Sequence, residues 1–201
     1  MIIKNIFSLA ASIIKLFIVC FLLSTNSKAE EKNIKQYSED EGVLSIMYHR
    51  FDENKYPSTN IQMEVFLKHM KLIKDLGYEF IHPDEFQKKF SIAKKQKKIL
   101  LTIDDAFKSF YDVAWPFLKK NKIPFILFVS TEPIGNPGYM TWDQIKEIEK
   151  ESFSTVGHHS NSHEYLIEKS NQAFIDDIEK ANMLFNEKIG YIPKLFSLKS
   201  M

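Results

Sequence analysis

A parallel α/β architecture is what this 201-residue sequence predicts, and three observations carry the prediction. Short apolar runs rich in β-formers alternate with stretches of helical periodicity. Several of those runs are apolar on both faces, as strands covered by helices on either side are. Polar residues suited to chemistry gather where the runs end, at His49, at Asp104 with Asp105, and at His158 to His163. In such folds ligands bind at the C-terminal ends of the strands.

The elements follow in order. "VLSIMYH" (Val43 to His49) reads as a first buried strand. In "QMEVFLKHMKLIKDLGY", Met63, Phe66, Leu67, Met70 and Ile73 recur at helical spacing and Gly77 supplies the stop. "YEFI" gives a second strand and "HPDEFQKKF" a short helix with Pro83 near its start. "KILLTID" (Lys98 to Asp104) is the third strand, and Phe107 to Asn121 a helix disturbed at Pro116. "PFILFVS" (Pro124 to Ser130) is the fourth strand, and "STEPIGNPGYM" a Gly/Pro loop. Thr141 and Gln144 have the spacing of a capping box, so a helix begins there. "FSTVGHHS" is a fifth strand running into a turn. Ser170 to Ile189 is a long helix with Phe174, Ile178, Ala181 and Phe185 on one face and Gly190 as its stop. No internal repeat or low-complexity segment interrupts the pattern.

Composition bounds the function. At 44% hydrophobic and 26% charged residues the chain can bury one core, to which most of its 17 phenylalanines are assigned. A formal charge of +1 gives no basic excess for nucleic acid. The N-terminus has the three parts of a secretory signal peptide: Lys4 and Lys15, an apolar run from Leu16 to Leu23, and "SKA" at Ser27 to Ala29. Residues 1–29 are read as that signal and 30–42 as a charged flexible lead. Residues 43–201 form the folded domain. The run is short for a spanning helix, which needs about 20 apolar residues, so the membrane enters only through this segment if it stays uncleaved. Cleavage removes three lysines and no acid, turning the balance of +1 into −2, and removes Cys20, the only cysteine. An exported, periplasmic or secreted protein follows, in which any metal must bind through His, Asp or Glu.

Two short motifs carry the chemistry. His159 and His163 are four apart, so one helical turn would put both imidazoles on one face, the spacing of a metal pair. Asp104 and Asp105 close the third strand. A helix N-cap beside a solvated carboxylate would explain one of them better than both. A cation beside the pair offsets the repulsion. Two histidines and one aspartate make a ligand set for Zn²⁺ or a similar ion, leaving the other aspartate free as a base on metal-bound water.

The segments "LLTIDDAFKSFYDVAWPFLKKNKIPFILFVS" and "VGHHSNSHEYL" resemble the polysaccharide deacetylase family, the NodB-homology domain of carbohydrate esterase family four. Its first motif, TFDDG, stands here as Thr102 to Ala106, and its second, H-S/T-x-x-H, as His159 to His163. "IMYHRF" and "YMTWDQIKEI" are also similar to family segments. The resemblance implies a (β/α) barrel of the NodB-homology type. It implies Asp104 as catalytic base and Asp105, His159 and His163 as ligands of a divalent metal, Zn²⁺ first and Co²⁺, Ni²⁺ or Mn²⁺ next. The implied reaction removes acetyl groups, mainly N-acetyl, from an acetylated amino-sugar polysaccharide. Ser160 would support the site by hydrogen bonding, and His49 would line the pocket.

The sequence departs from the family pattern in two places. Ala106 replaces the glycine of the first motif, which is harmless at φ < 0 and otherwise costs on the order of 1 kcal/mol. After His163 the family's third motif, its Asp/Trp motif and the Leu-x-His motif that holds its general acid are not matched by "YIPKLFSLKSM". A barrel takes roughly 200 residues or more, and the chain after Ala29 is shorter. The domain is therefore expected to be a barrel incomplete at its C-terminus. The alternative functions are a non-catalytic carbohydrate-binding relic of the fold and another metal hydrolase on a β/α scaffold. The second lacks support from any HExxH.

Overall fold

The sheet is assembled from the predicted apolar runs, all parallel. In a computed structural model that describes residues 42–89 and 97–199, β1 (Val43–Tyr48) pairs with β5 (Lys98–Asp104), β5 with β6 (Phe125–Val129), and β6 with β7 (Ser154–His158). β4 (Glu79–Phe80) pairs with the start of β5, Phe80 opposite Ile99. β2 (Arg50–Phe51) and β3 (Asn60–Ile61) form a separate two-stranded parallel ladder. All five residues of β6 are buried, which is why its sequence is apolar throughout.

Helices cover the sheet where their stripes are apolar. α1 (Met63–Asp75) buries Phe66 and Met70. α2 (Pro83–Lys89) opens on its proline. α4 (Trp142–Glu149) starts at the capping box of Thr141 and Gln144, with both reciprocal hydrogen bonds made. α5 (Asn171–Ile189) buries Ala181 and Phe185, starts at Ser170 and stops at Gly190 with φ of 85°. The core is aromatic: Phe51 meets Phe66 edge-on at 5.1 Å, and Phe125 meets Phe110 at 5.6 Å and Trp115 at 5.8 Å.

Two expectations change. The segment Phe107 to Asn121 is not one α-helix: a π-helical turn, Phe110–Ala114, precedes α3 (Trp115–Asn121). Pro116 has no N–H to give, and the Trp115 N–H reaches back five residues to Phe110 O. The barrel is open among the described residues: β1 pairs only with β5, and β7 continues only into a parallel bridge between His158 and Phe196. Closure needs more strands than these to bring the two sides of the sheet together. The signal segment (1–29) and the charged lead as far as residue 41 lie outside the described residues. No helix among them is long and apolar enough to cross a membrane.

Candidate metal centre

Because the strands are parallel, their C-terminal ends share one edge, and the site is built there from three of them. Asp104 ends β5, opposite Phe128 of β6, and Asp105 follows in the turn. Asp105 and Ala106 both take left-handed backbone, φ 72° and 53°. That sharp reversal sends the chain out of the strand while both carboxylates stay buried, 3% and 5% exposed. The Ala106 carbonyl accepts from Met140 N (2.9 Å), tying the turn to the Gly/Pro loop.

The second half of the site is the loop after β7. His159 and His163 do not share a helical turn. Ser160 and His163 are left-handed, φ 67° and 58°, and the loop between them folds the rings to 4.9 Å apart. Its backbone is fastened on every side. His159 N donates to Val129 O (3.0 Å), Thr131 N to Ser160 O (3.2 Å) and Glu132 N to Asn161 O (3.0 Å). Ser130 Oγ donates to His159 O (2.9 Å). Ser160 Oγ accepts from His163 N at 3.2 Å. His158, buried between Phe185 and Phe196, accepts the Ser160 N–H on Nδ1 at 3.0 Å. Burial lowers its pKa and keeps the neutral form that can accept.

These two segments meet. Asp105 Oδ1 lies 2.9 Å from His163 Nε2 and 3.4 Å from His159 Nε2, and Asp104 Oδ2 lies 3.9 Å from His159 Nε2. Asp105, His159 and His163 each offer one ligand atom, all within 4.8 Å of one another. His49, half-buried after β1, lies within electrostatic reach of the same group: burial lowers its pKa, the Asp105 charge opposes this, and the two imidazoles add to it.

The donor set fits a divalent cation. His159 Nδ1 lies 2.7 Å from Ser197 O, and a carbonyl can only accept, so Nδ1 carries the hydrogen. The Nε2 of the neutral ring is then a lone pair aimed at a carboxylate. Asp104 Oδ1 is buried with no hydrogen-bond partner, and Asp105 Oδ1 has none beyond its approach to the two imidazole nitrogens. Acceptors facing one another in a dry site call for a positive charge between them, and a carbonyl behind a ligating imidazole is the usual outer support of a metal site. Where no cation is bound, the imidazoles themselves supply positive charge to the carboxylates. Burial raises Asp105, and the imidazoles of His159 and His163 more than reverse it, holding it below the usual carboxylate range. Asp104 receives less of that help, and burial pushes it up to about 6. One carboxylate is fixed as an anion, while its neighbour is poised to exchange a proton.

A parallel α/β sheet thus gathers at its C-terminal edge one carboxylate and two imidazoles that could hold a metal ion, with a second buried carboxylate beside them. The chain belongs to the polysaccharide deacetylase family, whose model matches residues 91–198. It is 30% identical over 115 residues to YxkH of Bacillus subtilis, whose own description as a polysaccharide deacetylase is provisional. That match covers 56% of this chain and 40% of the relative. It is 23% identical over 190 residues to the poly-beta-1,6-N-acetyl-D-glucosamine N-deacetylase of Staphylococcus epidermidis, covering 81% of this chain and 66% of that one. The chain thus spans under two thirds of either curated relative. Among solved structures, IcaB from Ammonifex degensii superposes with a TM-score of 0.67 at 26% identity, covering 79% of this chain and 74% of its own. The Streptococcus pyogenes deacetylase PplD shares the fold at 22% identity, with a TM-score of 0.65 over 77% of this chain and 72% of its own.

Proposed function

We propose that this protein removes N-acetyl groups from an acetylated amino-sugar polysaccharide outside the cytoplasm, using a divalent cation held by Asp105, His159 and His163. The observation that carries the reading is the convergence of Asp105 Oδ1 and the two ring nitrogens within 4.8 Å, beside the buried Asp104. Zn²⁺ is the first candidate for such ligands, and Co²⁺, Ni²⁺ and Mn²⁺ suit them too. The cation supplies Lewis-acid chemistry, making water acidic and an acyl carbonyl electrophilic.

The chain's own residues do the rest. Asp104 accepts the proton of the attacking water as its oxygen bonds to the acetyl carbon. As the carbon–nitrogen bond breaks, Asp104 passes that proton to the leaving amine, so acetate and a free amino sugar result. Ser160 holds the His163 backbone, and His49 lines the approach. The name of the S. epidermidis relative supports an N-acetylglucosamine polymer as substrate. The N-terminal signal pattern supports export and a folded domain from residue 43.

The test separates binding from chemistry. The parent should co-purify with a divalent metal and release acetate from a partly acetylated glucosamine polymer. Asp105→Ala should lose the metal. Asp104→Asn should keep it and lose acetate release by a factor of about 100 or more. A parent that holds metal yet releases no acetate would point instead to a sugar-binding role. A parent that holds no metal near neutral pH would sink the metal-site reading.

A further inference from the structure

The loop carrying His159 and His163 has a support that neither motif contains. Asp177 lies on α5, and its carboxylate accepts from both backbone N–H groups at the crest of the loop. Asn161 N donates to Oδ1 at 2.7 Å and Ser162 N to Oδ2 at 3.0 Å. Two successive N–H groups beside a left-handed residue form a concavity suited to an anion, and here the anion belongs to the protein. The carboxylate is rigidly presented. Asp177, Ala181 and Phe185 follow at intervals of four, so Asp177 continues the stripe whose next two members are fully buried. It faces the loop, while its neighbour Asp176 bonds along the helix surface to Gln172 Nε2 at 2.8 Å.

We propose that Asp177 is a positioning residue for the metal site, setting the separation of the two imidazoles by gripping the backbone between them. The assignment rests on the proposed metal role of His159 and His163. The loop needs such a grip because Ser160 and His163 are non-glycine residues in left-handed backbone, which relaxes unless surrounding contacts hold it. Other fastenings of the loop come from the β6 side, from Val129, Ser130, Thr131 and Glu132, and from His158 and Ser197 at its start. Asp177 grips it from α5, at the two N–H groups those fastenings leave free. Removing that grip lets residues 161–163 swing while β7 and His159 stay in place, which spoils a ligand set without unfolding the sheet. Outer supports of this kind are worth about 10- to 100-fold in metal affinity.

The experiment compares Asp177→Asn, Asp177→Ala and the control Asp176→Asn in the 201-residue chain. Zn²⁺ affinity is read by competition with a chromophoric chelator, and the Co²⁺ visible spectrum reports ligand geometry. Amide hydrogen exchange at Asn161 and Ser162 is followed without metal. The isosteric Asp177→Asn should weaken Zn²⁺ by about tenfold or more and alter the Co²⁺ spectrum. It should speed exchange at both amides by about tenfold and leave the metal-free unfolding midpoint nearly unmoved. Asp177→Ala should do the same more strongly, and should it fail to fold, the asparagine variant carries the test. Asp176→Asn should stay within about twofold of the parent. Zn²⁺ affinity unchanged in Asp177→Asn, in a parent that binds Zn²⁺, overturns the positioning role alone. Unchanged amide exchange overturns the grip itself. A parent that binds no Zn²⁺ removes the metal site and the positioning role together.

Discussion

At the scale of single residues, Asp104 and Asp105 share a dry site and hold opposite protonation tendencies. Without metal, burial raises Asp104 to about 6 against an unfolded value near 4. The folded protein therefore binds more protons than the unfolded chain between pH 4 and 6. Stability falls as pH rises through that window, by on the order of 3 kcal/mol from this group. His159 is raised too: burial opposes its charge, but Asp105 and Asp104 outweigh it. Its contribution is complete below about 6.5 and is lost as pH climbs through its raised value. Asp105, lowered, works the other way, contributing above about pH 4 and failing below. A bound cation competes with the protons on Asp104 and His159, so the rise in unfolding temperature caused by added Zn²⁺ should grow steadily from pH 5 to pH 8. Melts with and without Zn²⁺ at four pH values read this directly, and a shift independent of pH would contradict it. Ala106 offers a separate test. Its φ of 53° is the costly case for the missing glycine, so Ala106→Gly should gain up to about 1 kcal/mol in urea unfolding, less what its buried methyl contributes.

At the scale of elements, the close contact of β6 and β7 shapes the site. Gly157 stands opposite Phe128, and a Cβ there would overlap Cδ1 and Cε1 of that ring and approach Ile126 Cγ2 at 3.1 Å. Phe128 in turn lies 6.3 Å from the His159 ring. Gly157→Ala should destabilise the protein by about 1–3 kcal/mol, the usual result of overpacking, and weaken metal retention because the displaced Phe128 ring is a neighbour of His159. Urea unfolding and metal content measure the two effects. Elements were legible in the sequence wherever burial imposed a period. β5, β6, α1 and α5 lie within a residue or so of where apolar spacing put them, and the Thr141 box fixed the start of α4. β2 and β3, two residues each, are too short to show any period. The π-helical turn was half visible, in Pro116, but a missing donor does not say how the ladder will shift. The two site motifs were legible by residue type, yet the left-handed turns that bring their side chains together were not, since Ser160, His163 and Ala106 are not residues that announce positive φ. Asp177 belongs to no motif, although its spacing to Ala181 and Phe185 puts it on the buried stripe.

At the scale of the whole molecule, the sheet edge next to the site is completed by backbone, which no residue-type pattern reveals. Beyond β7 the segment Leu195 to Ser197 docks in parallel: His158 N donates to Leu195 O (2.8 Å), and Ser197 N donates to His158 O (2.9 Å). The same segment supplies the Ser197 carbonyl that orients His159 through Nδ1. If His159 holds a metal as proposed, its affinity should depend on this edge segment. A chain ending at Lys194 loses the two ladder bonds and the orienting carbonyl, but keeps the aromatic core of Phe51, Phe66, Phe110 and Phe125, all fully buried. The apolar burial lost with the segment is confined to the sheet edge, where the half-exposed Phe196 ring covers His158. The shortened chain should therefore unfold close to the parent temperature without metal, yet bind Zn²⁺ about tenfold or more weakly, because the His159 ring is free to turn and to change tautomer. Ser197→Ala keeps the carbonyl and should bind Zn²⁺ like the parent, which separates the backbone acceptor from the side chain. Chelator competition on the three proteins decides the matter: equal affinity in the shortened chain would mean that β7 and the loop hold His159 without the edge, and a matching fall in the metal-free melting temperature would mean that the segment serves the fold rather than the site.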